Sequence, residues 1–281
     1  MEPTTVKDNY EIDPAGEQAS ETRPSISVVI PTFNESENVG TLCERIDTAL
    51  EGIRHEIIFV DDSNDDTPQV IEGIMKDNEN VRLYHRENGT GLATAVIDGF
   101  GMANGLCIAV MDADLQHPPE ILRPMYAAMV ARKCDFCIPS RFIKGGSDGG
   151  LNPYRKFVSW TARWIGKIML KSIRKISDPT SGLFMFRREC IKKADLRPIG
   201  WKIMIEVLAM AQYSRVCEIP YTFCEREHGE SKLSAKVTKE YLVQVRGLKK
   251  RQIKHKDLVV IRIKPEKLEK YVMSLDRIAG R

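Results

Sequence analysis

The sequence predicts an α/β protein built on a mostly parallel sheet with helices on both faces. Two observations carry that reading. Between residues 26 and 111, short apolar runs alternate with segments of helical periodicity, and three of the runs end in polar clusters: Pro31-Thr32-Phe33-Asn34-Glu35, Asp61-Asp62-Ser63 and Asp112-Ala113-Asp114. Such alternation implies parallel strands joined by helices, with a ligand crevice outside the carboxyl ends of the strands. The three clusters are therefore expected to line one crevice.

Each element has its own signal. Ile26 to Ile30 is a β-branched run expected to close at Pro31, with Asn34 and Ser36 as candidate caps of the next helix. Val39, Leu42, Cys43, Ile46, Ala49 and Leu50 recur at helical spacing, which predicts an amphipathic helix over 36–50. A strand over 56–60, a helix over 67–76 with Pro68 in its first turn, a strand over 81–85 and a helix over 91–103 follow. Gly89, Gly91 and Gly99 are expected to serve close packing and a tight turn into that last helix. Leu106 to Met111 suits an interior parallel strand, and Pro118-Pro119 forbids its continuation. Further on, Asp178-Pro179-Thr180-Ser181-Gly182 introduces a strand over 183–186. Residues 257–281 hold a short strand pattern and a helix started by Pro265, with Leu268, Val272 and Leu275 on one face, and no function is assigned to them.

A chain of 281 residues that is 42% apolar can hold one large α/β domain plus appendages. Of seven cysteines, only Cys134-x-x-Cys137 forms a close pair, and no second pair completes a zinc site, which points to reduced core thiols in a cytoplasmic compartment. The N-terminus lacks the pattern of a signal peptide. The longest stretch without charge, Gly99 to Met111, is thirteen residues, too short for a transmembrane segment. No GxGxxG follows the first strand and no GxxxxGKS/T occurs, which disfavours a Rossmann dehydrogenase or a P-loop kinase.

Charge is uneven along the chain. Residues 1–24 carry six acids and two bases without apolar periodicity and are expected to form a disordered acidic tail. Asn152 to Ile176 carries seven bases and no acid, and Lys236 to Lys256 eight bases and one acid. Both blocks call for an anionic partner, membrane headgroups or nucleic acid. Phe157, Trp160, Trp164, Ile168 and Ile173 follow helical spacing beside Arg163, Lys167, Lys171, Arg174 and Lys175, the pattern of a membrane-interface helix over 151–176. Val237, Tyr241, Leu242, Val245 and Leu248 repeat it among Lys236, Lys239 and Arg246, and in each case the alternative is a core-facing helix with a basic exterior. Gly145-Gly146-Ser147-Asp148-Gly149-Gly150 reads either as a closing loop or as a passive linker.

The acidic pair at the end of the Leu106–Met111 strand is the centre of the functional reading. Side chains alternate along an extended chain, so Asp112 and Asp114 project to one side, and Gln116 follows if the extension persists. Three oxygen ligands would suit Mg²⁺ or Mn²⁺, with water and substrate phosphate completing the shell. The bland alternative is a pair of surface acids in a turn.

In order along the chain, VIPTFNESENV, EIIFVDDSNDDT, GTGLATAVIDGF, MDADLQHPPE, SRFIKGG, SDPTSG and FCEREHGESKL resemble the segments of GT-A-fold glycosyltransferases of family 2, in particular the polyprenol (dolichol) monophosphate mannose synthases. The resemblance spans 25–233, the expected GT-A (Rossmann-like) domain, and stops before a basic helix and C-terminal extension over 234–281. It implies that Pro31, Phe33, Glu35, Val60 and Asp62 hold the guanosine of GDP-mannose. It places the metal on Asp114 and Gln116, with Asp112 and Ala113 beside the sugar diphosphate, and gives Arg141, Arg226 and Lys232 to the phosphates. Asp112, Asp114 and Arg141 are the expected catalytic set, and Asp178 a hydrogen-bonding neighbour of the sugar. His117 is expected to position its loop, and His228 to lie near phosphate. Lys202, Arg155 and Arg187 carry no such support. Phe33 stands where the family frequently has tyrosine, and Ser63-Asn64-Asp65-Asp66 replaces a more glycine-rich turn.

The implied reaction is inverting, metal-dependent transfer of mannose to a polyprenyl (dolichyl) monophosphate. Such an acceptor is already anionic at neutral pH, so no general base is required. The expected setting is cytoplasmic, peripheral on the cytoplasmic face of a membrane, against an anionic lipid surface, and a small membrane-anchoring subunit belongs to the partners the resemblance admits. The competing readings are a related transferase using UDP-glucose or another donor, a catalytically silent membrane-associated scaffold, and nucleic-acid binding, which lacks any recognised module.

Overall fold

A computed structural model describes residues 23–89, 91–150, 153–197, 199–224 and 235–278, the side chains of 153–155, 235–237 and 278 excepted. Residues 1–22, Arg226, His228 and Lys232 lie outside the described residues, as does most of the expected tail. The elements run β1 (Ile26–Thr32), α1 (Val39–Ala49), β2 (His55–Asp61), α2 (Thr67–Met75), β3 (Val81–His85), α3 (Leu92–Met102), β4 (Cys107–Val110), α4 (Leu122–Arg132), β5 (Phe136–Ser140), α5 (Pro153–Met169), β6 (Phe184–Arg187), α6 (Ile203–Met210), β7 (Arg215–Pro220), α7 (Ala235–Arg251), β8 (Val259–Arg262) and α8 (Pro265–Ile278). They build one eight-stranded sheet in the order β3-β2-β1-β4-β6-β5-β7-β8.

Strand alternation explains the layers. Ile26, Val28, Ile30, Ile57, Phe59, Cys107 and Ala109 face a core that includes residues of α1, α2, α4 and α8, while Val29, Ile58, Val60, Ile108 and Val110 face a core that includes residues of α3, α6 and α7. Both faces are dry, so the inner strands read as unbroken apolar runs. The strand order reverses at β1, with β2 on one side and β4 on the other, which opens a crevice at their carboxyl ends. Only β6 runs against its neighbours, antiparallel to both β4 and β5. Its first residue, Phe184, pairs with Val110 at the end of β4, so the segment leading into β6 arrives at the crevice.

Several sequence expectations shift by a few residues, for identifiable reasons. Pro31 does not close β1. Val29 accepts a hydrogen bond from Met111 N on the β4 side, and Pro31, two residues on, turns its nitrogen the same way, past the last β1–β4 pair, where no ladder bond is wanted. α1 begins at Val39 rather than 36, because Asn34 adopts a left-handed conformation and ties the turn to its neighbour: Asn34 N donates to Ser63 Oγ at 2.8 Å and Asn64 N to Asn34 Oδ1 at 3.0 Å.

The two basic helices divide. On α5, Phe157, Trp160, Trp164 and Ile168 form an exposed stripe, the most open of them 66% accessible. The helix stops at Met169, the chain extends through buried Leu170, and Ile173 and Ile176 enter the core instead of continuing the stripe. On α7 the expected apolar face is largely given to the core: Tyr241, Val245 and Leu248 are buried, and Tyr241 Oη donates to Ala162 O of α5 at 2.6 Å. The core-facing reading therefore holds for α7. The glycine-rich stretch is neither a free lid nor a slack linker. Ser147 N donates to Tyr221 O and Phe223 N to Ser147 O, both at 3.0 Å, stapling it to the chain after β7. Among the described residues, no helix is long and apolar enough to cross a membrane.

Candidate active site

The strand ends of β1, β2 and β3 meet at Asp61, which is fully buried. It accepts hydrogen bonds from Thr32 Oγ1 at 2.7 Å and Ser63 Oγ at 2.5 Å, and its other oxygen lies 2.7 Å from His85 Nδ1. A carboxylate so engaged holds strands together and has little left for a ligand. Asp62 turns toward the crevice in the grip of Arg86, whose Nε and Nη2 donate to its two oxygens at 2.7 and 2.6 Å. Arg86 also reaches Asp98 at 2.9 Å and Thr94 at 3.0 Å on α3. Burial opposes the charge of Arg86, but the carboxylates of Asp62 and Asp98 outweigh it and raise its pKa. Gly89 lies so close that a methyl group there would sit 2.0 Å from Asp62 Oδ1. Phe33 stands beside this end of the crevice, 43% exposed.

The acidic turn comes next. β4 ends at Val110, and Leu115 is left-handed at φ 57°, so Asp112, Asp114 and Gln116 follow a turn rather than the extended alternation expected of them. A left-handed leucine costs on the order of 1–2 kcal/mol. The turn is held against that cost by the burial of Leu115 and by Gln116, whose carbonyl accepts from Cys224 N at 2.9 Å and whose Nε2 donates to Cys224 O at 3.3 Å. Gln116 N in turn donates to Asp114 Oδ1 at 3.1 Å. Pinning Nε2 turns the amide oxygen the other way. Asp114 and Gln116, both buried, thus offer a carboxylate and an amide oxygen, hard donors of the kind Mg²⁺ or Mn²⁺ takes. Among the described residues no three His, Cys, Asp or Glu side chains gather as a ligand set. Two such donors could hold an ion only with water and phosphate oxygens completing its shell.

The loop Asp178–Gly182, leading into β6, holds Arg141 and Lys202 and approaches Asp112. Arg141, just past β5, donates from Nε and Nη2 to the two oxygens of Asp178 at 2.8 and 3.0 Å, with Asp178 fully enclosed. Desolvation opposes the Arg141 charge, but Asp178 raises its pKa well above the ordinary value. Thr180 O accepts from Lys202 Nζ at 3.0 Å. A methyl group on Gly182 would sit 2.1 Å from Asp112 Oδ2, so only glycine lets the loop approach that carboxylate. His117 is enclosed between Tyr221, stacked 5.7 Å away, and Phe223, and its Nδ1 lies 3.2 Å from Tyr221 Oη. Burial, with the charges of Arg141 and Lys202, pushes its pKa down to about 3, so the imidazole is neutral at physiological pH. Beyond Arg141 a half-open pocket of about 360 Å³, lined also by Phe142, Lys156, Phe157 and Trp160, leads to the exposed stripe of α5.

Residues 27–194 match the family described as Glycosyl transferase family 2, over half of the chain. The chain belongs to glycosyl transferase family 2. The dolichol-phosphate mannosyltransferase of Pyrococcus furiosus is 43% identical to it over 225 residues, covering 80% of this chain but only 64% of that protein. The dolichol-phosphate mannosyltransferase of Saccharomyces cerevisiae is 35% identical, covering 79% of this chain and 86% of its own. The polyprenol monophosphomannose synthase of Mycolicibacterium smegmatis is 34% identical, with 82% and 90% covered. In fold, the family 2 chain is similar to glucosyl-3-phosphoglycerate synthase of Mycobacterium tuberculosis, solved with Mn²⁺, UDP-glucose and phosphoglyceric acid: TM-score 0.62 at 16% identity, covering 82% and 81% of the two chains.

In this family 2 chain the expected site residues that are described stand at strand ends and loops around the crevice, with differences in what they can offer. Phe33, Glu35 and Asp62 stand at the ends of β1 and β2, but Pro31 and Val60 are buried there, the Val60 side chain within the core under α3 and its backbone in the ladder between β1 and β3. Glu35 Oε2 accepts from Asn38 Nδ2 at 2.7 Å. Ala113 is buried between its two aspartates, and Asp178 is engaged with Arg141 rather than standing open to a sugar. Arg86, Gly182 and Lys202 were not singled out for these contacts from sequence. The SDPTSG segment signals the loop, but nothing local marks Arg86 or Lys202, whose partners lie far away in sequence.

Proposed function

We propose that this family 2 chain transfers mannose from GDP-mannose to a polyprenyl (dolichyl) monophosphate, with inversion at the anomeric carbon. The observation that carries the reading is the two-sided position of Arg141. On one side the loop that holds it also approaches Asp112, at the acidic turn of the nucleotide crevice; on the other it lines the pocket leading to the exposed aromatic stripe of α5. A sugar nucleotide and a lipid-borne phosphate would meet there. The activities named for the archaeal, yeast and mycobacterial relatives support the mannosyl group and the polyprenyl acceptor.

The chemistry asked of the protein is modest. A phosphomonoester loses its second proton near pH 6, so the acceptor oxygen arrives as a nucleophile. His117, enclosed and with its pKa pushed down to about 3, is too weak a base for the task. Arg141, set by Asp178, would orient that phosphate and offset charge as GDP departs. Asp114 and Gln116 would hold Mg²⁺ or Mn²⁺, which supplies neutralisation of the diphosphate when bound.

A panel of GDP-mannose, UDP-glucose and UDP-N-acetylglucosamine against polyprenyl phosphate, with and without Mn²⁺, tests the reading. GDP-mannose is expected to be used in the presence of metal, and the product to have the anomeric configuration opposite to the donor's. No transfer from any donor would favour a scaffold, and retained configuration would exclude direct displacement. Asp114→Ala is expected to lower metal-dependent transfer by about 100-fold or more; full metal-dependent activity would remove Asp114 from the ligand set.

The setting we propose is the cytoplasmic face of a membrane, with α5 lying in the interface. The exposed Phe157, Trp160, Trp164 and Ile168 would enter the headgroup boundary, while the exposed Lys171 and Arg174 meet anionic lipid; Arg163 is turned to Ser177 O and the Phe142 ring, and Lys175 to Leu258 O. Double replacement of Trp160 and Trp164 by serine is expected to reduce flotation with anionic liposomes several-fold at unchanged thermal stability. Wild-type protein that fails to float would instead point to an anchoring subunit as the route to the membrane.

A further inference from the structure

Lys202 stands at the reacting end of the crevice although no sequence motif marks it. Its Nζ donates to Thr180 O at 3.0 Å, in the loop that also holds Arg141 through Asp178 and approaches Asp112 through Gly182. His117 lies within reach of the charges of both Arg141 and Lys202, and Lys202 within reach of Asp112 and Asp178. Burial, joined by the charge of Arg141, lowers the pKa of the ammonium, and the charges of Asp112 and Asp178 oppose that shift.

Of the local carboxylates, Asp112 acts on Lys202 through its charge, while Asp178 is engaged elsewhere. Both oxygens of Asp178 are taken by the Arg141 fork. An ammonium has three donors, and the contact with Thr180 uses one. If two phosphate-bearing substrates meet beside Arg141, a diphosphate and a monophosphate bring more negative charge than a divalent ion and one guanidinium offset.

We propose that Lys202 touches a phosphate oxygen at the reacting centre and is a substrate-binding residue of the transfer step. This rests on the reading that GDP-mannose and a polyprenyl phosphate meet at Arg141. The oxygen belongs either to the acceptor monophosphate or to the diphosphate of the donor, and the assays separate the two.

Lys202→Gln and Lys202→Arg are compared with wild type by thermal melting, by calorimetric titration with GDP in the presence of Mn²⁺, and by steady-state transfer to a short polyprenyl phosphate. Lys202→Gln is expected to melt within a few degrees of wild type yet lose about 100-fold in kcat/KM, with Lys202→Arg recovering at least tenfold of that loss. A raised acceptor KM at unchanged GDP affinity assigns the contact to the acceptor; GDP binding weakened about tenfold assigns it to the donor. Wild-type values for Lys202→Gln in both assays, or equal impairment of the Gln and Arg variants, would overturn the proposal. If Lys202→Gln does not fold, Lys202→Met, which keeps the aliphatic stem, takes its place. Absence of mannose transfer by the wild type would count against the functional reading alone, and the Lys202 comparison would then be made with whichever donor of the panel the wild type uses and its nucleoside diphosphate.

Discussion

Gly182→Ala is expected to reduce transfer by about 100-fold or more while leaving the protein folded. The added methyl group would sit 2.1 Å from Asp112 Oδ2, far inside van der Waals contact, so either the carboxylate swings away or the loop retreats. Either movement also disturbs Arg141 and Lys202, which the same loop holds through Asp178 and Thr180. A displacement of about 1 Å at a reacting centre is enough for a 100-fold loss. The cost to stability is that of overpacking one site, about 1–3 kcal/mol. The control is Gly73→Ala in α2, where nothing lies within 4 Å of the added group and a helix interior favours alanine by about 1 kcal/mol. Activity of Gly182→Ala within threefold of wild type would show that the close approach to Asp112 has no functional weight.

Asp178→Ala is expected to be the most destabilising single change in the site. Asp178 is fully enclosed and the Arg141 side chain is 8% exposed, so removing the carboxylate strands a buried cation at a cost of about 3–5 kcal/mol. At roughly 2–4 °C per kcal/mol for a chain of this size, the melting temperature should fall by about 6–20 °C. Transfer should fall by at least about 100-fold, since Arg141 loses both bonds that set its plane. The double variant Asp178→Ala/Arg141→Met separates the two effects: it should regain much of the stability, the stranded charge being gone, and none of the activity. A double variant as unstable as the single one would mean that packing, not charge, holds this corner.

The parts of the site that were legible in the sequence are those set by local geometry. A strand followed by a polar cluster in a parallel sheet delivers its side chains to the crevice, and Phe33, Asp62, Asp112, Asp114 and Gln116 arrive there for that reason. Details set by distant packing were hidden. Alternation along an extended chain foretold a shared direction for Asp112, Asp114 and Gln116, whereas a left-handed Leu115 held by Cys224, 108 residues beyond Gln116, shapes the turn. Arg86 reads as an ordinary surface base until β3 places it beside Asp62. On α5 and α7 the apolar periodicity is similar, and only the packing of Tyr241, Val245 and Leu248 against the core tells a buried stripe from an exposed one. The end of α5 had no breaker residue to announce it; Leu170 leaves the helix because the core takes its side chain.

The reversed strand β6 also bears on how the chain is made. β1 to β4 can pair with one another as they leave the ribosome, but β5 at 136–140 finds neither sheet neighbour until β6 at 184–187 and β7 at 215–220 have been synthesised. Until then the edges of β4 and β5 both lack their partner, a state open to wrong pairings. The last strand inserted into the middle of the sheet is the one whose lead-in carries Asp178 and Gly182, so the crevice between β1 and β4 is assembled first and the Asp178–Gly182 side is added only after some 45 residues more of synthesis, at about 5–20 residues per second.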